Sequence, residues 1–138
     1  MGIEYIYSLY LRSSKICTDT RNISKNVLFF CLKGENYDGN VFAEKALSLG
    51  ANYVIVDNSK YFKNKSNYIL VKDSLKTLQE LAKFHRSKLK TKIIAITGSN
   101  GKTTSKELIY SVLSQKFNTV STIGNYNNHI GVPISILS

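Results

Sequence analysis

One short stretch of this chain gathers two glycines, a lysine and two threonines: Gly98-Ser99-Asn100-Gly101-Lys102-Thr103-Thr104. It follows the β-branched apolar run Ile93-Ile94-Ala95-Ile96 and opens a helical pattern. The reading is a buried strand, a sharp turn and a helix start. The first amides of a helix lack intrahelical partners, and the macrodipole is positive there. With an ammonium beside them they make an anion site. In the phosphate-loop pattern G-x-x-x-x-G-K-[ST], the lysine reaches the β- and γ-phosphates and the hydroxyl ligates Mg²⁺. Lys102 and Thr103 would take those places. The first glycine of the pattern falls at position 96, which is Ile96. An ordinary strand-turn-helix with a chance Gly-Lys competes with this reading.

Polar chemistry is dense in two other regions, the first of them in two parts. Thr18-Asp19-Thr20-Arg21 and the loop Lys33-Gly34-Glu35-Asn36-Tyr37-Asp38-Gly39-Asn40 flank an apolar run. Taken alone, the first is as easily a turn built on an Asp side chain. The second region is Gly124-Asn125-Tyr126-Asn127-Asn128-His129-Ile130-Gly131-Val132-Pro133. It has no core pattern, and its amides can both donate and accept. It reads as a site loop. Cys17 and Cys31, with two His, do not make a zinc spacing. Both thiols read as reduced and structural.

The elements that must position these groups follow from periodicity. Ile3, Ile6, Leu9 and Tyr10 predict a helix over 3–11. Strands are expected over 15–18, 27–32, 53–56 and 68–71. Asn40 is a candidate N-cap for a helix over 41–49 that Gly50 stops. Residues 58–67 read as a polar excursion. Asp73 or Ser74 caps a helix over 75–89, in which His85 is a surface or edge residue. The basic run Lys88 to Lys92 is the expected domain boundary. Beyond it come a helix over 102–116, a strand at 119–121 and a helix opened by Pro133.

Composition sets the bounds. The chain has 138 residues, 43% of them hydrophobic, enough for one sizeable core or two small ones. No apolar run approaches a membrane span. Met1-Gly2-Ile3-Glu4-Tyr5 has no basic flank before an apolar core, so no signal peptide is read and a cytoplasmic location is expected. The formal net charge of +10 admits two readings. Polyanion binding is one. Drift toward Lys, Asn, Ile and Tyr is the other, and the scatter of the lysines favours it.

Three segments in this order resemble one family. Ile96 to Thr104 looks like the ATP loop of the Mur ligases, which also lacks the first glycine. Thr18 to Arg21, followed by Phe29-Phe30-Cys31-Leu32-Lys33-Gly34-Glu35-Asn36-Tyr37-Asp38-Gly39, is similar to their N-terminal uridine-nucleotide domain. Gly124 to Pro133 is most similar to the branch that joins D-Ala-D-Ala to UDP-MurNAc-tripeptide. The resemblance covers essentially the whole chain.

It implies an α/β fold in two parts. Residues 1–90 would form a small UDP-MurNAc-peptide-binding domain. Residues 91–138 would begin a P-loop (Rossmann-like) ATPase domain, here truncated. ATP and Mg²⁺ are the implied cofactors. UDP-MurNAc-tripeptide and D-Ala-D-Ala are the implied partners of a monomer that engages neither nucleic acid nor membrane. In the family, ATP phosphorylates the terminal carboxylate and the incoming amine attacks the acyl phosphate. Carried over residue by residue, Gly98, Ser99, Asn100, Gly101, Lys102, Thr103 and Thr104 cradle ATP, and Thr103 binds Mg²⁺. Thr18, Thr20, Arg21, Gly34, Glu35, Asn36 and Tyr37 lie near UDP. Asn128 and His129 join Lys102 as catalytic groups, in the cleft between nucleotide and muramoyl substrate. Family members are several times longer and place an acidic Mg²⁺ ligand, a His, a carbamylated Lys and a closing domain beyond the Asn-rich loop. The expectation is that these 138 residues alone do not ligate. Two alternatives stand beside this: a diaminopimelate- or lysine-adding relative, and a non-catalytic UDP-sugar-binding remnant.

Overall fold

The computed structural model describes residues 2–122 and 128–138. Its centre is β2 (Val27–Phe30), in which every residue is buried. A strand apolar on both faces belongs inside a parallel sheet with helices on each side. β2 pairs in parallel with β1 (Ile16–Cys17) on one side and β5 (Ala51–Val56) on the other, and β5 pairs with β6 (Tyr68–Leu70). The register sets Ile16 against Leu28, Phe29 against Val54, and Ile55 against Ile69.

The period of two divides the core. Leu28, Phe30, Ile55 and Ile69 point to one face, where Ile6 and Leu9 of α1 (Ile3–Leu11) and Leu78 and Leu81 of α3 (Ser74–Lys88) cover them. Val27, Phe29, Cys31, Val54 and Val56 point to the other, against Ala43 and Ala46 of α2 (Ala43–Ser48). Burial pushes the Cys31 thiol up to about 12, so it packs as a small apolar group. α3 starts at Asp73, whose carboxylate accepts the Lys76 N–H. α2 is followed by Gly50, at φ +111, a left-handed conformation suited to glycine.

Three local expectations differ. Asn40 does not cap α2, which is preceded by a 3-10 turn over Gly39–Phe42. Its side chain turns inward instead. The loop after β2 is a short antiparallel hairpin, β3 (Lys33–Gly34) with β4 (Tyr37–Asp38). Residues 93–96 and 119–121 form no strand. Ile94 is 60% exposed, and among the described residues no strand pairs with this run. A parallel strand needs a neighbour's donors and acceptors to form, whatever its propensity.

α4 (Lys102–Leu113) buries no residue, with Leu108 64% and Val112 70% exposed. Ile94 lies along its apolar side with Leu108, Ile109, Val112 and Leu113. α5 (Gly131–Ile136) returns to pack on α3. There Leu137 is buried with the α1 and α3 side of the core. Among the described residues no helix is long and apolar enough to cross a membrane.

Candidate functional site

All four strands of the main sheet run the same way, so their carboxyl ends lie along one edge. In open α/β sheets that edge is where ligands bind. The chain leaves β1 into Thr18 to Arg21, leaves β2 into the 33–38 hairpin, and leaves β5 at Asp57. Two polar segments far apart in sequence are thereby brought to one rim.

The first segment is shaped by Asp19. Its carboxylate accepts the Arg21 N–H at 2.9 Å, starting a 3-10 turn over Thr20–Asn22. The same carboxylate holds the Arg21 guanidinium through Nε and Nη2, the latter at 2.6 Å. These Arg21 hydrogen bonds hold the Asp19 carboxyl at about 2. The Arg21 side chain is 87% exposed, so its remaining N–H groups face outward. Such an exposed pair adds little stability. It does aim a bidentate anion donor.

The second segment carries Gly34, Glu35, Asn36 and Tyr37, all exposed. The Tyr37 ring stacks on Phe42, centroids 5.7 Å apart and planes 19° apart. Burial first, then the nearby Asp19 charge, raises the Tyr37 hydroxyl. Tyr37 and the Asp19–Arg21 pair are therefore electrostatic neighbours. Each is a feature that suits a nucleotide: a flat aromatic face for a base and a guanidinium for a phosphate.

Behind this rim lies a polar group that the sequence reading passed over. Lys33 Nζ meets the Asp57 carboxylate at 2.9 Å, and Asn40 is 1% exposed between Asp38 and Asp57. Burial opposes ionisation of Asp57, yet bonds from Lys33, the Ser74 N–H and Asn40 keep its carboxyl below the usual range. The signal in the sequence was position: Asp57 directly follows a buried strand.

The 98–104 turn has the expected local form. Gly98 is at φ +150 and Gly101 at φ +75, so both use backbone that suits glycine. Gly101 precedes α4, and among the described residues no side chain caps that helix start. Thr103 and Thr104 are exposed there. Lys102 Nζ folds back onto the carbonyls of Gly98 and, at 3.3 Å, Ser99. Its ammonium thus sits across the loop formed by Ser99, Asn100 and Gly101. Uncapped amides, a cation and an adjacent hydroxyl fit a phosphate with its Mg²⁺.

Of the Asn-rich run, 124–127 lies outside the described residues. Asn128 Oδ1 accepts the N–H groups of Ile130 at 3.1 Å and Gly131 at 2.7 Å, forming the entry to α5. His129 is exposed, and its backbone carbonyl accepts a hydrogen bond from Gln79.

Comparison with known proteins runs through all three segments. Residues 13–86 match the Mur ligase family, catalytic domain, and residues 96–138 match the Mur ligase middle domain. The chain is 44% identical, over 89% of its length, to UDP-N-acetylmuramoyl-tripeptide–D-alanyl-D-alanine ligase of Bacillus subtilis (strain 168). It is 40% identical, over 88% of its length, to the enzyme of that name in Escherichia coli (strain K12). The chain spans 27% of the Bacillus relative and 26% of the Escherichia one. The crystal structure of MurF ligase from Thermotoga maritima in complex with ADP superposes at a TM-score of 0.80 with 31% identity, over 92% of this chain and 29% of that one. A MurF crystal structure from Acinetobacter baumannii gives 0.82 with 29% identity, over 98% and 32%.

Proposed function

The chain belongs to the Mur ligase family, and from that premise we propose that it supplies the uridine-nucleotide face and the ATP loop of a MurF-type ligase of peptidoglycan synthesis. The ligase would join D-Ala-D-Ala to UDP-MurNAc-tripeptide. Residues 1–90 would form the uridine-nucleotide domain, and residues 91–138 would open the ATP-binding domain. One observation carries the reading: a relative named for that reaction is 44% identical over 124 residues, 89% of this chain.

In this reading each segment takes one part of the work. Arg21 presents a guanidinium for the diphosphate, and Tyr37 a ring face for the uracil. Thr18, Thr20, Gly34, Glu35 and Asn36 line the same rim. Gly98, Ser99, Asn100, Gly101 and Thr104 would hold the ATP phosphates by backbone and hydroxyl groups. Lys102 would leave its loop carbonyls to neutralise them, and Thr103 would ligate Mg²⁺. ATP supplies the phosphoryl group that activates the tripeptide carboxylate as an acyl phosphate. The chain's own contribution to that step is positioning and charge neutralisation. Asn128 and His129 would face the gap between the two ligands, with their backbone fixed by α5 and Gln79. A cytoplasmic location fits these substrates.

The test is phosphate release by the protein carrying this chain, given ATP, Mg²⁺, UDP-MurNAc-tripeptide and D-Ala-D-Ala. Release that requires both non-nucleotide substrates supports the reading. Release with UDP-MurNAc-dipeptide and a diamino acid instead would assign a different member of the family.

A further inference from the structure

We propose that Asn40 and Asp57 are positioning residues, a buried amide–carboxylate anchor that fixes the 33–38 hairpin, and Tyr37 with it, at the carboxyl edge of the sheet. What the hairpin binds rests on the uridine-diphosphate reading above; that the hairpin is anchored does not.

The hairpin cannot hold its own posture. It has two residue pairs, Lys33 with Asp38 and Gly34 with Tyr37, and a ribbon that short is not independently stable. Residues 33 to 37 are all exposed, so apolar burial contributes little. Its stem is closed at one point, where Gly39 N–H donates to the Leu32 carbonyl at 2.8 Å. That approach is close enough that a Cβ on Gly39 would collide with the Leu32 carbonyl oxygen.

Asn40 supplies the rest. Its Nδ2 gives one hydrogen to Asp38 Oδ1 at 2.6 Å and the other to Asp57 Oδ1 at 2.8 Å. Its Oδ1 accepts the Asp57 backbone N–H at 3.0 Å. Asp38 Oδ1 also accepts the Asn40 backbone N–H at 2.9 Å. Asp57 completes the link. Oδ1 takes the Lys33 ammonium at 2.9 Å, and Oδ2 takes the Ser74 N–H at the start of α3 at 3.1 Å. Both ends of the hairpin, Lys33 and Asp38, are thus tied through two side chains to the end of β5 and the first turn of α3.

The chemistry explains the residue type. Two carboxylates need hydrogen-bond donors at one buried point, and a neutral amide provides two without adding charge. An acid at position 40 would place a third carboxylate there. An apolar residue would leave the Asp38 and Asp57 oxygens short of a donor, and the Asp57 N–H short of an acceptor, in a place water reaches poorly.

The experiment is amide hydrogen exchange with UDP titration, on the 138-residue chain and its Asn40→Ala and Asp57→Asn variants. The Gly39 amide closes the hairpin stem, and the Asn40 amide bonds to the Asp38 carboxylate at the hairpin's end. The Val54 and Val71 amides bond across or beside the sheet, to Asn67 and Val56 carbonyls. In both variants Gly39 and Asn40 should exchange at least tenfold faster while Val54 and Val71 keep the wild-type rate. UDP affinity should fall at least tenfold under conditions where the chain stays folded. Equal acceleration at all four amides, unchanged exchange at Gly39 and Asn40, or unfolding of both variants would overturn the proposal. So would wild-type UDP affinity in a variant with a loosened hairpin. If the unmodified chain binds no UDP, the uridine reading fails, and the exchange rates alone decide the anchor.

Discussion

Gln79 of α3 donates its side-chain amide to the backbone carbonyl of His129, 3.1 Å away and fifty positions later in the chain. At the far end of the same segment, the Tyr10 hydroxyl donates to the Leu137 carbonyl, also at 3.1 Å. Between these two bonds, Gly131, Pro133 and Leu137 are buried against the α1 and α3 layer. The turn at 128–129 is therefore held by the Asn128 side chain and by Gln79 of a helix that covers the main sheet. Replacing Gln79 with Ala removes a half-exposed hydrogen bond and should cost about 0.5–1.5 kcal/mol. Faster exchange at the Val132, Ile134 and Leu137 amides, with Val54 unchanged, would show that the loss is local.

Stability should be distributed very unevenly. Phe30 is fully buried in the core, whereas Leu108 on α4 is mostly exposed. Phe30→Ala should cost about 3–5 kcal/mol. Leu108→Ala should stay within about 0.5 kcal/mol. Denaturant unfolding of the two variants makes the comparison, and comparable losses would contradict the packing described.

Acid should loosen the rim before the core. The Asp57 and Asp38 carboxyls both lie below their usual values: burial pushes each up, but bonds from Lys33, the Ser74 N–H and Asn40 outweigh it at Asp57, and bonds from Asn40, the Lys33 charge and a bond from Asn58 outweigh it at Asp38. A carboxylate depressed in the folded state binds fewer protons there than when unfolded. Its contribution is fully present above the unfolded value of about 4. It is lost as pH falls through the lower folded values. Thermal midpoints measured from pH 6 downward should begin to drop near pH 4, and the Asp57→Asn variant should show a shallower drop.

The phosphate loop should separate binding from folding. Among the described residues, Lys102 Nζ bonds to loop carbonyls in an exposed turn. Lys102→Ala should therefore leave the unfolding midpoint unchanged while weakening ATP binding. Gly101→Val should be worse for the loop than Gly101→Ala, since β-branching adds to the strain at φ +75. A fluorescent ATP analogue titrated against the three variants gives the ranking.

The sheet and its three covering helices were legible because their signals are local and repeated. Val27 to Phe30 is apolar at every position, α1 and α3 show apolar residues every three or four positions, and Gly50 and Asp73 mark ends by their own chemistry. The run at 93–96 shows the limit. Its composition is that of a buried strand, but strand formation depends on a neighbour, and propensity does not contain one. Asn40 shows another limit. An Asn before an apolar helical pattern reads as a cap, and nothing local reveals that Asp57, seventeen residues on, supplies its partner. The Arg21–Tyr37 rim fell between the two. Each half was recognisable as polar loop chemistry, while their placement on one edge of the sheet depends on the parallel direction of β1 and β2.

That rim carries the proposed function. Calorimetric titration of the 138-residue chain with UDP-MurNAc-tripeptide tests it most directly, alongside the Arg21→Ala and Tyr37→Ala variants. Saturable one-to-one binding is expected, weakened at least tenfold by each substitution, with unfolding midpoints unchanged because both side chains are exposed. No saturable binding, or variants that bind as the unmodified chain does, would contradict it.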